Sequence, residues 1–325
     1  LNEVEDIPNG PVFVVISFQS AWSHIKTKKD KIDEFRLKIA KRSKVLFVDE
    51  AHLSLAKTYR EVIEKYRGSE FSCKIVGLTA TPGRHGIDQD NEQTLKLAKF
   101  YDNNHEDISP FCDGKTPLKY LQERGILAEV KRSELKTGFD LELTDKEIKI
   151  IKEEFRIPDS VGKRIGNNNE RNQLIVGQIF RLVRKNKKKI LVFASSVNNS
   201  NLLFRLLKQR DINAQSVTKD TSRTQRARAV TDFANGDIDV LINYGIFTTG
   251  FDDPKIDCVV IARPTVSVVL YSQMVGRGMR GIDVGGTSDC ELIDIVDNIE
   301  NQPDIEQAST FFAEEWAEGE ILRGD

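Results

Sequence analysis

The sequence predicts an α/β protein made of two parallel-sheet units, on three observations. Short apolar runs bounded by turn residues recur at 12–16, 45–48, 74–78, 190–194, 214–217, 240–243, 259–262 and 291–295. Helical patterns separate many of them, at 58–66, 171–185, 199–210, 222–235 and 267–274. Strands alternating with helices at this spacing read as βαβ units whose sheets are covered on both faces. A turn cluster, Gly166-Asn167-Asn168-Asn169, then divides the chain and places a boundary near it.

Size and composition agree. A chain of 325 residues suits two domains of ordinary size. Hydrophobic content of 39% and a formal charge of −2 describe a soluble globular protein. No run of eighteen apolar residues exists, so no transmembrane helix and no membrane partner is expected. The opening LNEVEDIPNG lacks both an initiator Met and the basic-then-apolar pattern of a signal peptide, and reads as the start of a fragment. Cys73, Cys112, Cys258 and Cys290 occur singly, which favours buried free thiols in a reducing cytoplasm over a disulfide or zinc site. Near-neutral charge neither advertises nor excludes a nucleic-acid partner, because a positive groove can coexist with acidic outer faces.

In chain order, 12–16 (VFVVI) reads as a central strand ending at Ser17-Phe18-Gln19-Ser20, where Ser17 or Ser20 suits a helix N-cap. A helix follows over 22–40, with Lys26, Lys28, Lys29 and Lys31 as either a solvated face or phosphate contacts. The strand at 45–48 ends in Asp49-Glu50-Ala51-His52, and the strand at 74–78 ends in Thr79-Ala80-Thr81-Pro82. Chemistry in parallel sheets sits outside the carboxyl ends of the strands, where both tetrads fall. An Asp fixed at a strand end can hold Mg²⁺ through a water shell, and the adjacent Glu can face an attacking water. Residues 85–117 read as a long polar loop. Its Gly114-Lys115-Thr116 imitates a phosphate loop, but Ser109 stands where the first Gly belongs and no strand precedes it.

Residues 118–131 read as helix, turn at Gly125 and strand, closing a first domain at 1–135. A charged connector spans 136–169, a second domain 170–300, and a tail 301–325 in which Ile305, Ala308, Phe311, Phe312 and Trp316 fall at helical spacing. Within the second domain, Gln273-Met274-Val275-Gly276-Arg277-Gly278-Met279-Arg280 is the sharpest local pattern. If helical, it brings Gln273, Arg277 and Arg280 towards one patch. Two guanidinium forks there could clamp a transferring phosphoryl group.

Taken together these stretches resemble the DEAD/DEAH-box proteins of helicase superfamily 2. Asp49 to His52 looks like motif II, Thr79 to Thr81 motif III, 190–198 motif IV, Thr248-Thr249-Gly250-Phe251-Asp252-Asp253-Pro254 motif V, and Gln273 to Arg280 motif VI. Their order matches across nearly the whole chain. The resemblance implies two RecA-like domains in tandem, the first N-terminally incomplete, and an ATP-dependent helicase or translocase acting on DNA or, less expectedly, RNA. It implies ATP and Mg²⁺ as cofactors, with Asp49 on the metal and Glu50 activating water. His52, Thr79 and Thr81 would link hydrolysis to the nucleic-acid groove. Gly250 and Asp252 would touch the nucleotide's sugar edge, and Gln273 would sense the γ-phosphate. Arg277 and Arg280 would be fingers reaching across an interdomain cleft. Gln19, Ser20, Ser195 and Thr248 would lie along the nucleic acid.

The family's Walker A loop, expected about a hundred residues before motif II, has no match among the 48 residues preceding Asp49. A missing N-terminal segment or a partner subunit would then supply it, and ATP turnover by this chain alone is left open. DNA-acting repair, restriction or phage-defence motors are the favoured setting. A non-catalytic nucleic-acid-binding module and the motor portion of a restriction enzyme are the alternatives.

Overall fold

The chain divides after Glu106 into two units, Leu1–Glu106 and Asp107–Asp325, each with its own parallel sheet. The computed structural model describes residues 10–26, 39–68, 70–79, 92–106, 108–154, 156–185, 189–247, 251–300 and 317–323.

In the first unit, β1 (Val45–Asp49) and β2 (Lys74–Leu78) pair in parallel register from Val45↔Lys74 to Asp49↔Leu78, with the Lys57–Arg67 helix between them in sequence. The alternation of a strand splits these residues between two faces. On one face Val48 packs with Ala51 and Ile63, joined by Phe18, Leu46, Tyr59, Ile75, Phe100 and Tyr101. Gly77 on this face has no room for a side chain: a Cβ would stand 2.8 Å from Ala51 Cβ and from the Tyr101 ring. Val45, Phe47, Val76 and Leu78 on the other face are exposed.

Three expectations for this unit change. Residues 12–16 form no strand; Phe13 lies 6.5 Å from the Phe47 ring, beside β1, yet no backbone ladder joins them, and an apolar run without a pairing partner is not a strand. The first helix begins at Phe18 rather than Trp22, because Ser17 Oγ accepts the Ser20 amide at 3.2 Å and caps it there. The expected loop at 85–117 contains a helix, Glu92–Phe100, which Leu97 and Phe100 dock. Its cue, Leu97 with Phe100 and Tyr101 at helical spacing, was obscured by the polar residues around it. Of the four lysines, Lys26 ends the first helix, and Lys28, Lys29 and Lys31 lie outside the described residues.

The second unit is a seven-stranded parallel sheet in the order β5-β6-β4-β7-β8-β3-β9. Its strands are β3 (Glu129–Glu142), β4 (Ile190–Phe193), β5 (Ala214–Thr218), β6 (Val240–Tyr244), β7 (Cys258–Ile261), β8 (Asp289–Glu300) and β9 (Ala317–Arg323). Every residue of β4 and β7 is buried, as central strands covered on both faces must be. One core holds Leu191, Phe193, Leu241 and Val259; another holds Ile190, Val192, Val260 and Ile293. Successive residues of a strand enter opposite cores, so both faces of the sheet are filled.

Residues 129–142 belong here, not to a first domain or connector. β3 pairs with β8 from Glu129↔Asp289 to Glu142↔Glu300, so Asp107 onward folds with the second sheet. The remaining connector is ordered too: helices Asp145–Glu154 and Asp159–Gly166 bury Ile151, Val161 and Ile165 with Leu141 and Val266. The Asn-rich turn is a tight helix-to-helix joint, with Asn168 capping the Asn169–Arg184 helix through the Arg171 amide. Gly114-Lys115-Thr116 is the decoy it looked like, since Thr116 caps the Pro117–Glu123 helix and Lys115 pairs with Glu123. The tail pattern at 305–316 lies outside the described residues; β9 beyond it pairs with β3. All four cysteines are buried. Among the described residues no helix is long and apolar enough to cross a membrane.

Candidate functional site

In the first unit the site is the carboxyl end of β1. Asp49 closes the strand in an exposed position, and its Oδ1 accepts the Glu50 amide at 2.9 Å. Glu50 then turns the chain in a left-handed conformation, φ 53° and ψ 48°, which a non-glycine residue adopts at a cost of about 1 kcal/mol or more. This turn sends Ala51 and His52 inward, where both are buried, while the Glu50 side chain remains about one-third exposed. His52 Nδ1 lies 3.1 Å from Thr79 Oγ1 and 3.4 Å from Glu50 Oε2. One imidazole thus joins the two strand ends, which the parallel pairing of Asp49 with Leu78 sets side by side. Ser54 Oγ and Tyr101 OH meet at 2.8 Å behind it, a contact the sequence did not announce. Thr81 lies outside the described residues. Gln19 is exposed and Ser20 partly buried, both in the first turn of the Phe18–Lys26 helix.

In the second unit the site is built around the loop after β6. Thr248 and Gly250 lie outside the described residues. Beyond them the chain alternates: Phe251 is buried against Phe247 at 4.4 Å between ring centroids, Asp252 points outward, and Asp253 is buried. Asp253 is held by Lys189 Nζ at 2.9 Å and by the Lys255 amide at 3.0 Å. The two anchored neighbours present Asp252 to solvent.

The Val268–Val275 helix, capped by Ser267 through the Leu270 amide, carries Gln273 in a partly exposed position. Its inner face is Tyr271, Met274 and Val275. Because the helix ends at Val275, Gln273, Arg277 and Arg280 do not share one helical face. The break is tertiary: Gly278 passes so close to β7 and β8 that a Cβ would stand 2.4 Å from Cys290 Sγ, and Arg280 bridges Leu127. The two guanidinium groups still converge on one loop. Arg277 Nη1 donates to the Phe251 carbonyl, and Arg280 Nε donates to Asp252 Oδ1 at 3.0 Å.

A buried triad fixes the rotation of that helix. Tyr271 OH donates to Asp294 Oδ2 at 2.7 Å, and Arg132 Nε donates to the same oxygen at 2.6 Å. Burial pushes the Asp294 carboxyl up despite Arg132, and burial and Asp294 together push the Tyr271 hydroxyl well up. Sequence reading missed this triad because its members come from three distant elements. Ser195 is buried, 4% exposed, beneath the Asp159–Gly166 helix, where a Cβ on Gly162 would stand 2.5 Å from the Ser195 carbonyl.

Residues 172–281 match the family described as the helicase conserved C-terminal domain, and residues 7–84 match the type III restriction enzyme res subunit. The chain is 30% identical over 256 residues to IRC3 of Saccharomyces cerevisiae, named as an ATP-dependent helicase, covering 78% of this chain and 34% of that protein. It is 27% identical over 247 residues to a 51.5 kDa protein of a Lactococcus phage, covering 75% of this chain and 48% of that protein. The chain therefore spans about a third to a half of the length of these two relatives. Among solved structures, a protein from Vibrio vulnificus YJ016 named as an HsdR subunit of a type I restriction enzyme aligns with TM-score 0.56 at 19% identity, covering 89% of this chain and 49% of that one. S. cerevisiae Dbp5 bound to RNA and ADP BeF3 aligns with TM-score 0.54 at 14% identity, covering 89% and 63%. At these identities the structural likeness speaks to the fold.

Proposed function

The chain belongs to helicase superfamily 2, and from that premise we propose that it carries the hydrolytic and force-coupling part of an ATP-driven motor acting on DNA. In the first unit Asp49 holds Mg²⁺ and Glu50 orients the attacking water. The donor set suits that ion: Mg²⁺ takes one or two carboxylates and completes its shell with water and phosphate oxygens, and Asp49 stands exposed at a strand end. When bound, Mg²⁺ neutralises charge on the triphosphate. In the second unit Arg277 and Arg280 serve the phosphoryl charge, Gln273 reads the γ-phosphate, and Gly250 and Asp252 serve the sugar edge. Gln19, Ser20 and Thr248 face the strand. Thr79 and Thr81 pass the state of the nucleotide to it.

The observation that carries this reading is His52. Its Nδ1 lies within reach of both Glu50 and Thr79, so a change at the water-orienting carboxylate is felt at the end of β2. A free-standing binding module has no need of such a link. The Asp252–Arg280 pair also fits, because an arginine held by the loop that would meet the sugar is placed before nucleotide arrives. DNA is favoured over RNA by the Gly-Phe-Asp-Asp-Pro and Gly-Arg-Gly-Met-Arg forms of motifs V and VI, read from sequence.

The test is ATP hydrolysis by the whole protein with single-stranded DNA, duplex DNA, RNA or none. DNA-stimulated turnover is expected, and Glu50→Gln should lower it by about 10²- to 10⁴-fold while nucleotide still binds. Unchanged turnover removes Glu50 from its role. DNA binding without any hydrolysis by the whole protein would leave the binding-module reading in its place.

A further inference from the structure

Arg263 stands at the carboxyl edge of the second sheet, two residues past the end of β7. Phe193 of β4 pairs with Ile261 of β7 and with Asn243 of β6, so the ends of these three strands lie side by side. Arg263 reaches over β4 to place its guanidinium 5.3 Å from the centroid of the Tyr244 ring at the end of β6. It is partly buried. Among the described residues its guanidinium rests on an aromatic ring, whereas three other arginines of this unit rest on carboxylates. Arg132 faces Asp294, Arg164 faces Glu147, and Arg171 faces Asp297.

A guanidinium drawn from water without a carboxylate is an incomplete arrangement, and a ring offsets only part of the loss. The surroundings do not complete it. Asp159 is the carboxylate nearest in influence, and its Oδ1 accepts the Tyr244 hydroxyl at 3.2 Å. A cavity of about 60 Å³ beside Arg263 is lined by Tyr271, Asp294 and Asp297, but each of those carboxylates already has its own guanidinium. Burial accordingly holds Arg263 below the usual arginine value, against Tyr244 and Asp159, which favour its charge. It stays protonated in water at neutral pH.

A ring engages the face of a guanidinium and leaves the N–H fork for oxygen acceptors, and the fork matches a phosphate. Ligands of parallel sheets meet the protein at this edge. Of Ser195 and Thr248, which sequence reading assigned to the strand in this unit, Ser195 is buried and does not offer its hydroxyl. Resting on the nucleic-acid-motor reading, we infer that Arg263, seated on Tyr244, binds a backbone phosphate of the nucleic-acid strand and is a cationic contact of this edge of the second unit.

The experiment is fluorescence-anisotropy binding of a labelled single-stranded oligonucleotide to the full chain between low and moderate salt. Arg263→Gln should weaken binding several-fold, equally for unrelated base sequences, and flatten the slope of log K against log salt by about 0.7 to 1. Arg263→Lys keeps the charge and should keep the slope while binding somewhat more weakly. Lys149→Gln, an exposed lysine on the Asp145–Glu154 helix, is the comparison and should change neither. Affinity for a fluorescent ATP analogue, measured in the same samples, should not move with Arg263→Gln. An unchanged salt slope overturns the inference, as does a loss of nucleotide affinity in place of strand affinity. If Arg263→Gln lowers the melting temperature sharply, the Arg263→Lys slope decides: a slope flattened with charge retained shows a packing role. No oligonucleotide binding by the unaltered chain, even at low salt, overturns the motor reading and this inference together.

Discussion

The two sheets are made of the same kind of strand and treat it differently. β1, Val-Leu-Phe-Val before Asp49, and β4, Ile-Leu-Val-Phe, are both apolar runs. All of β4 is buried, whereas Val45 and Phe47 of β1 are 41% and 51% exposed. The strand itself does not set this. β4 lies between β6 and β7 with cores on both faces, while among the described residues the buried core of β1 and β2 lies on one face, and the other carries only the Phe13 ring near Phe47. Burial is a property of what covers a sheet, and apolar side chains show only that they could be covered.

The sharpest way to break this comparison is to open the closed unit. Arg171 and Asp297 are 0% and 2% exposed and joined at 2.8 Å, with the Ala262 carbonyl and Thr137 completing the cluster. Arg171→Ala should cost about 3–5 kcal/mol, because it leaves a carboxylate buried and unpaired. Denaturant unfolding measures it, and a cost below about 1 kcal/mol would mean that water reaches this cluster.

The next effect is in the half-covered unit. Gly77→Ala on its packed face should cost about 1–3 kcal/mol, since the new methyl meets Ala51 and Tyr101 at 2.8 Å. Val76→Thr on its exposed face should stay within about 0.5 kcal/mol. Equal costs for the two substitutions would show that the exposed face is covered in solution.

The smallest effect is a pH dependence of the second unit. Burial alone would push the Glu147 carboxyl up, but hydrogen bonds from Ser160 and Thr144 and the Arg164 guanidinium outweigh it and hold it below the usual range. A lowered folded-state value stabilises the fold above the ordinary glutamate pKa, and that stabilisation fades as pH falls below it. The melting temperature should therefore drop by a few degrees in acid below the ordinary glutamate range, and Glu147→Gln should flatten that part of the curve. A curve with the same acid limb in Glu147→Gln would exclude this network as its source.

Much of the fold was readable because it rests on local pattern. β1, β2 and β4 to β7 fall within a residue or two of the apolar runs, and Ser222, with Gln225 three residues on, marks its helix by a capping box. Pattern failed where pairing decides. VFVVI has strand composition and no ladder, while the charged stretch from Glu129 to Glu142 is a fourteen-residue strand because β8 lies beside it. The placement of Asp49, Glu50, His52 and Thr79 at strand ends was legible from the apolar runs before them. Arg263 and the Arg132–Asp294–Tyr271 triad were not, since each is defined by partners remote in sequence.

By itself the sequence determined which residues could be strands, which tetrads would fall at their carboxyl ends, and the order of the stretches that resemble helicase motifs. Only the tertiary structure decided that the division comes after Glu106, that Glu50 turns left-handed to bring His52 to Thr79, and that Arg277 and Arg280 meet on the 251–252 loop without a shared helix. The physical reason is range. Periodicity and capping act over a few residues and are written along the chain, whereas sheet pairing, close approach at glycines and the pairing of buried charges depend on residues that folding brings together.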